Sequence, residues 1–568
     1  MDIWMMTFEL ALSLILLTAL GAALLGRTGQ RWLYWLLLTP WVLGLSGLWC
    51  VVTVFLAAIV RDLSHPTYVG QSLCLALLLT AGGVSITILG NRSRDGRVVS
   101  AAWPAWRLFV ACVAAAMLQT VTFHGVNAAI CREAIVTRER SGQEYAALLR
   151  PVEKNESNAA GLYNDAFAQI AAKLDAADVA NEQRFYSEIT RWNAQNSAAT
   201  TAEIDDETTA VGPVPTTKPS QLLLEANIDE PQMPPLIQSL EPAVQMLRIT
   251  SLRPRCRFNQ SNEPPTWEDK QLWLNSFRKA VMVLRCHAAL EARLGRLDSA
   301  VEDIATIRRI TPHISQTVVG LVPYLVASSC DNVADQALAD VVPYASKPVR
   351  LPHGPGRTAS GLREELRVAF TGEESITTRA ALDFCDGQPV LSDLHPIPPR
   401  AAVAYRTLYL RSDLAAIHQL FNAARDRVDG KAIPAAWAHT GRPASGLLGR
   451  ILMLSPWKAV RVVLPQREAC SAAANVALAL TEYRIVNGHY PASLDELIPK
   501  YLVAVPADPF DGKPMRYVLK DGEAMIYSVG ENRLDDGGQL GPRHSGFSWK
   551  TLDVGLALKK LVTPANPS

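Results

Sequence analysis

Four long apolar runs, all beginning before residue 110, decide most of what this chain can fold into. Phe8 to Leu25 is apolar except for Glu9 and a few hydroxyls, and Trp32 to Val60 is uncharged between Arg31 and Arg61. Tyr68 to Gly90 and Leu108 to Ile130 carry no formal charge. Each run is near or above the roughly 18 to 20 residues that cross a bilayer as a helix, where every backbone group must be satisfied internally. Residues 1–130 therefore read as a membrane region with about four transmembrane helices. The first run reads as a retained helix rather than a signal peptide, because Met1 to Phe8 holds Asp2 and no Lys or Arg, and no small-residue cleavage pattern precedes Arg27. Pro40 either kinks the second run or marks an interfacial entry beside Trp32, Tyr34 and Trp35.

Short-loop charges orient these spans. Arg27 and Arg31 lie in the first loop and Arg92, Arg94 and Arg97 in the third, while the second sets Arg61 against Asp62. Loops one and three are then cytoplasmic and both termini face outward. Across the whole chain 55 Lys plus Arg balance 54 Asp plus Glu, so no global field recruits nucleic acid. The partners expected are the lipid bilayer and an envelope protein recognised locally. Cys131, Cys256, Cys286, Cys330, Cys385 and Cys470 lie beyond the apolar runs, where disulfides and scattered buried thiols are equally open readings.

Beyond the membrane region the chain reads as mostly helical. Residues 131–192 form a helical segment, with Ala159, Leu162, Tyr163, Ala166, Phe167 and Ile170 at three- and four-residue steps. Residues 193–220, rich in Thr, Ala and Pro, read as a flexible linker that leads into a helical domain over 221–466. Trp273, Phe277, Val281, Leu284 and Ala288 make an apolar stripe; Gly295 breaks the helix and Leu297 restarts it to Ile310. The placing of Gly295, Ala300, Ile304 and Pro312 resembles the tail of a tetratricopeptide unit, in which a proline ends the second helix. A bundle of hairpins without repeat symmetry is the alternative. Further helical tracts run near 318–342, 359–370 and 401–429.

Motifs for familiar chemistry are missing: the sequence has no GxxxxGK[ST] loop, no GxSxG elbow and no HExxH helix. His124 and Glu9 fall near the ends of apolar runs, where an ionisable group either marks an ion path or snorkels to the interface. Asp205, Asp206 and Glu207 read as solvated linker charges, and Glu373 and Glu374 as the first turn of a helix starting after Thr371 and Gly372. No catalytic residue is assigned.

Residues 467–568 are more specific. Glu468 to Val486 is a helical pattern with Ala472, Val476, Leu480 and Tyr483 on one face, stopped by Asn487 and Gly488. Ser493 and Glu496 have capping-box spacing, DGKP at 511–514 makes a turn, and MRYVL and AMIYSV read as two strands joined at Asp521 and Gly522. A small α+β module is expected.

Tyr483, Arg484, Asn487, Gly488, Tyr490 and Pro491, then Pro506, Asp508, Pro509 and Gly512, and lastly Tyr527 to Gly530 and Asp535 to Gly538, stand in the order of a known signature. The last hundred or so residues thereby resemble the C-terminal domain of the type II secretion major pseudopilin, which also closes many bacterial membrane-anchored helical proteins. The resemblance implies an extracytoplasmic module and a calcium site in its last loop, with Asp535 and Asp536 as ligands and Ser528, Glu531 and Asp553 as helpers. Calcium takes six to eight oxygens, which an acidic, glycine-rich loop supplies. The family's Asp-Gly after its SxG triplet is replaced here by Glu531 and Asn532. The several spans and the long helical middle also depart from a pseudopilin, so pilus assembly is not implied.

The sequence thus describes a multi-domain protein of the bacterial inner membrane: an α-helical membrane region, a mostly α-helical middle and a C-terminal pseudopilin-like α+β module. The function expected is non-enzymatic protein binding or assembly in the envelope. An envelope-acting hydrolase with a site in the helical middle, and a membrane sensor, are the alternatives.

Overall fold

Amphipathic periodicity becomes a set of long helices in the computed structural model, which describes residues 128–149, 157–199, 217–258, 261–265, 273–351, 358–387, 402, 405–406, 409–431, 459–540 and 552–559. The chain is mostly helical, with a small antiparallel sheet near its C-terminus. Among the described residues no helix is long and apolar enough to cross a membrane. The four apolar runs lie outside the described residues, except for the last three positions of the fourth.

In chain order, α1 covers 128–148, α2 Ala160–Ala199, α3 Pro219–Leu224, α4 Met233–Ser239 and α5 Glu241–Ser251. They are followed by α6 Trp273–Arg293, α7 Leu297–Thr317 and α8 Leu321–Val341, then α9 Ala359–Cys385, α10 Leu410–Val428 and α11 Leu464–Asn487. The strands β1 Arg516–Lys520, β2 Glu523–Ser528 and β3 Val554–Leu558 form one sheet in that order, with both pairs antiparallel.

The contacts divide the described chain into two units. One takes in the residues up to Arg140 together with Ala380–Leu414. Within it, Arg138 donates to Asp383 at 2.8 Å and to Asp386 at 2.9 Å, and the Tyr405 hydroxyl donates to buried Asp413 at 2.7 Å.

The other unit, Ser141–Arg379 and Ala415–Ser568, holds a large apolar core and, among its described residues, a smaller cluster around Tyr145, Val319 and Ile376. The three 21-residue helices α6, α7 and α8 each pack on the other two. The helix restarted at Leu297 does not end at Pro312 but runs through it to Thr317. Packing outweighs the proline's local cost, since Ile310, Ile314 and Thr317 are all buried. The helix through Tyr163 likewise runs past Trp192 to Ala199, and Pro219 already opens α3.

The C-terminal module shares this core. Helix α11 packs on β2 and β3 and also on α8, and α8 itself touches β3. Its buried positions therefore wrap well beyond the single expected face: Val476 and Leu480 are joined by Ala469, Ala473, Ala474, Ala477 and Thr481. Small side chains let the helix approach two layers at once. Gly488 closes it in the left-handed conformation, φ 79°, as expected of a glycine at that place. Asp521 and Gly522 join the hairpin, and Glu496 accepts the Ser493 N–H at 3.2 Å in the expected capping box.

Glu373 and Glu374 sit in the middle of α9 instead of opening a helix. The Leu321 N–H donates to Glu373 Oε2 at 2.8 Å, so the carboxylate does cap a helix N-terminus, but that of α8. Gly372 allows the approach: a Cβ there would overlap the carbonyl of Val319.

Candidate functional site

Of the residues expected to hold an ion, Ser528 ends β2, Glu531, Asp535 and Asp536 lie on the loop that leaves it, and Asp553 enters from the far side just before β3. Sheet pairing brings them close, because Ser528 stands opposite Val554 in the β2–β3 register. Buried Asp553 accepts the Gly538 N–H at 2.8 Å and the Asp536 N–H at 3.4 Å. Asp535 Oδ1 accepts the Tyr527 hydroxyl and the Gly537 N–H, both at 3.0 Å, and Asp536 Oδ2 accepts the Asn532 side-chain amide at 3.0 Å. The carboxylates of Asp535, Asp536 and Asp553 thus lie close together, two from the loop and one from the head of β3. Burial pushes the Asp553 carboxyl up; the Gly538 and Asp536 amides pull it back, and the neighbouring Asp536 and Asp535 charges add to the rise. Burial, then the bond to Asp535, pushes the Tyr527 phenol up to about 12.

Ser528 and Glu531 turn elsewhere. Fully buried Ser528 donates to Asp508 Oδ1 at 2.7 Å, and Glu531 takes an ion pair from Arg461 at 2.8 Å. Oxygen donors on a glycine-rich loop have the chemistry a hard cation takes. The arrangement, however, aims Asp553 at backbone amides, and among the described residues no group of three or more His, Cys, Asp or Glu is placed to hold a metal ion.

The centre of this region is Asp508, which in the sequence stands only as one member of the signature. Its Oδ1 accepts from Ser528 Oγ and from the Phe510 N–H at 2.9 Å; its Oδ2 accepts from the Val529 N–H at 3.0 Å and from Arg516 at 2.6 Å. Its own backbone N–H and C=O bond Lys513 and Gly512. One buried carboxylate therefore ties the proline-rich loop to β1 and to the end of β2. Arg516 also pairs with Asp511, and that bond holds the Asp511 carboxyl down at about 2. Nothing local in the sequence signals this node, because its partners lie up to 21 residues away.

Two further charged clusters lie in the helical middle. Arg467, wholly buried, donates to Asp335 at 2.5 Å, and Arg308 donates to the other oxygen of Asp335 at 2.6 Å. His287 bridges Asp303 and Glu241. The six cysteines beyond the apolar runs are all free thiols, and every one but Cys131 is buried.

Compared with protein-family models, with curated proteins and with solved structures, the chain matches none of them.

Proposed function

We propose that this chain is a non-enzymatic, membrane-anchored envelope protein whose helical and pseudopilin-like parts stand outside the cytoplasm and serve protein binding or assembly. The Asp508 node supports this reading most directly. Residues of the 506–512 stretch and of the 528–530 triplet, both parts of the signature, meet in one hydrogen-bonded knot. Mutual support among the signature's members favours a folding unit over a coincidence of turn residues. The apolar runs before residue 131 supply the anchor, and their loop charges supply the orientation.

A calcium ion in the last loop belongs to the same proposal. Asp535 and Asp536 would hold it with loop carbonyls; when bound it supplies a positive charge that relieves the repulsion among the neighbouring carboxylates.

Val503 is 94% exposed and suits a test. In a Cys131→Ser background the remaining described thiols are buried, so Val503→Cys would be the accessible label site among them. Labelling by a membrane-impermeant maleimide in spheroplasts is expected. Labelling only after the membrane is opened would overturn the orientation. A photocrosslinker at exposed Leu534 should then give a discrete adduct in the envelope fraction, and purely self-adducts or none would count against partner binding.

A further inference from the structure

The side chain of His287 is 3% exposed, and both its ring nitrogens face carboxylates. Nδ1 lies 2.6 Å from Asp303 Oδ2 on α7, and Nε2 lies 2.7 Å from Glu241 Oε2 at the head of α5. A neutral imidazole has one N–H, so it can donate to only one of the two. Both short contacts are satisfied together only when the cluster holds one proton more. Burial pushes the Asp303 carboxyl up, but the facing ring and Arg248, which donates to Asp303 Oδ1 at 2.9 Å, pull it back, and an imidazole is the stronger base of the two, which places that extra proton on the ring. The remaining charged neighbours are Glu291, one turn along α6 with an oxygen 4.0 Å from Nε2, and Arg296, which pairs with Glu291; uncharged Gln245 donates to Glu241 at 2.6 Å. Counting Glu241, Arg248, Asp303, Glu291, Arg296 and a charged His287, the cluster is neutral.

The two carboxylates are not equivalent. Asp303 has no exposed surface, whereas the side chain of Glu241 is 46% exposed. On losing a proton the ring keeps its N–H toward buried Asp303, which has no water to turn to, and lets go of Glu241, which does. We propose that His287 is a pH-operated latch that holds the head of α5 against α6 and α7 as an imidazolium and releases Glu241 when it becomes neutral. Burial alone would push the imidazole down. The bond and charge of Asp303, then those of Glu241, outweigh it and hold His287 above its ordinary value. The latch is therefore closed below the ordinary imidazole range and opens on the alkaline side of it.

The test uses the purified full chain in detergent micelles. The His287 ring resonance, assigned by its loss in H287Q, is followed across pH 5 to 10. Hydrogen exchange at 241–245 is measured in parallel and corrected for intrinsic rates. The expected result is a midpoint above the ordinary imidazole value and a loss of protection at 241–245 of about tenfold across that midpoint. In E241Q the midpoint should fall, and protection at 241–245 should lose its pH dependence while α7 keeps its own. A His287 midpoint at or below the ordinary value, or pH-independent protection at 241–245 in the unsubstituted chain, overturns the proposal. If H287Q does not fold, E241Q with a double-labelled histidine spectrum carries the same decision.

Discussion

Arg467 and Asp335 form an ion pair at 2.5 Å in which neither side chain has any exposed surface. It joins α11, the helix under the C-terminal sheet, to α8 in the helical middle, and Arg308 from α7 reaches the same carboxylate. The module therefore shares a charged seam as well as an apolar core with the helices before it.

Removing one partner from such a seam strands the other. Arg467→Ala leaves Asp335 facing Arg308 alone and Asp331, 3.9 Å from the lost guanidinium, without that neighbour. A loss of about 3–5 kcal/mol is expected, read by chemical denaturation. The loss should appear in one transition covering both α8 and the sheet, because they share a core. Two separate transitions would count against that coupling.

Asp508→Ala removes the acceptor of four hydrogen bonds and leaves Ser528 and the Val529 and Phe510 amides without it. The expected cost is about 3 kcal/mol, with faster hydrogen exchange at 510 and 528–530 than elsewhere in the sheet. Asp508→Asn should recover only part of this, since it restores an acceptor but not the charge facing Arg516.

Acid should loosen the same region through Asp511. Its carboxyl is held down at about 2 by Arg516, below the unfolded value of 3.8. A depressed carboxylate contributes stability that is present above its unfolded pKa and is lost as pH falls through the folded one. Local stability around 508–516 should therefore decline between about pH 4 and pH 2. Asp511→Asn should flatten that slope, and an unchanged slope in hydrogen exchange would show that the pair contributes nothing there.

If calcium binds as proposed, millimolar ion should raise the melting temperature of the full chain, and isothermal titration should give a binding heat. Asp535→Asn with Asp536→Asn should abolish both. Magnesium should compete poorly, because it demands a tighter octahedral shell than a loop of this kind offers. An unchanged melting temperature with no heat removes the ion and leaves the scaffold reading standing.

Much of the fold could be read from local pattern. The stripe from Trp273 to Ala288, the stop at Gly488, the Ser493–Glu496 cap and the Asp521–Gly522 hairpin each depend on residues a few positions apart. Strand β3 has no local signal, because Val554 to Leu558 is short and has no turn partner beside it; it pairs with β2 across a long connection. Pro312 does not mark the end of α7 for a related reason, since a proline's local cost says nothing of the buried Ile314 beyond it. Of the five expected ion ligands, register alone could have set Ser528 near Asp553. Which of them face one another depended on where Asp508 and Arg461 fell.

The sequence by itself determined the long helical tracts, the hairpin and the apolar runs, because hydrophobic period, caps and turn residues act within a few residues along the chain. Tertiary structure decided the rest. It set Glu373 on the head of α8 from 52 residues away, His287 between carboxylates on two other helices, and Arg467 against Asp335 across 132 residues. A charge can leave water only where packing delivers its partner, and no window of sequence contains both.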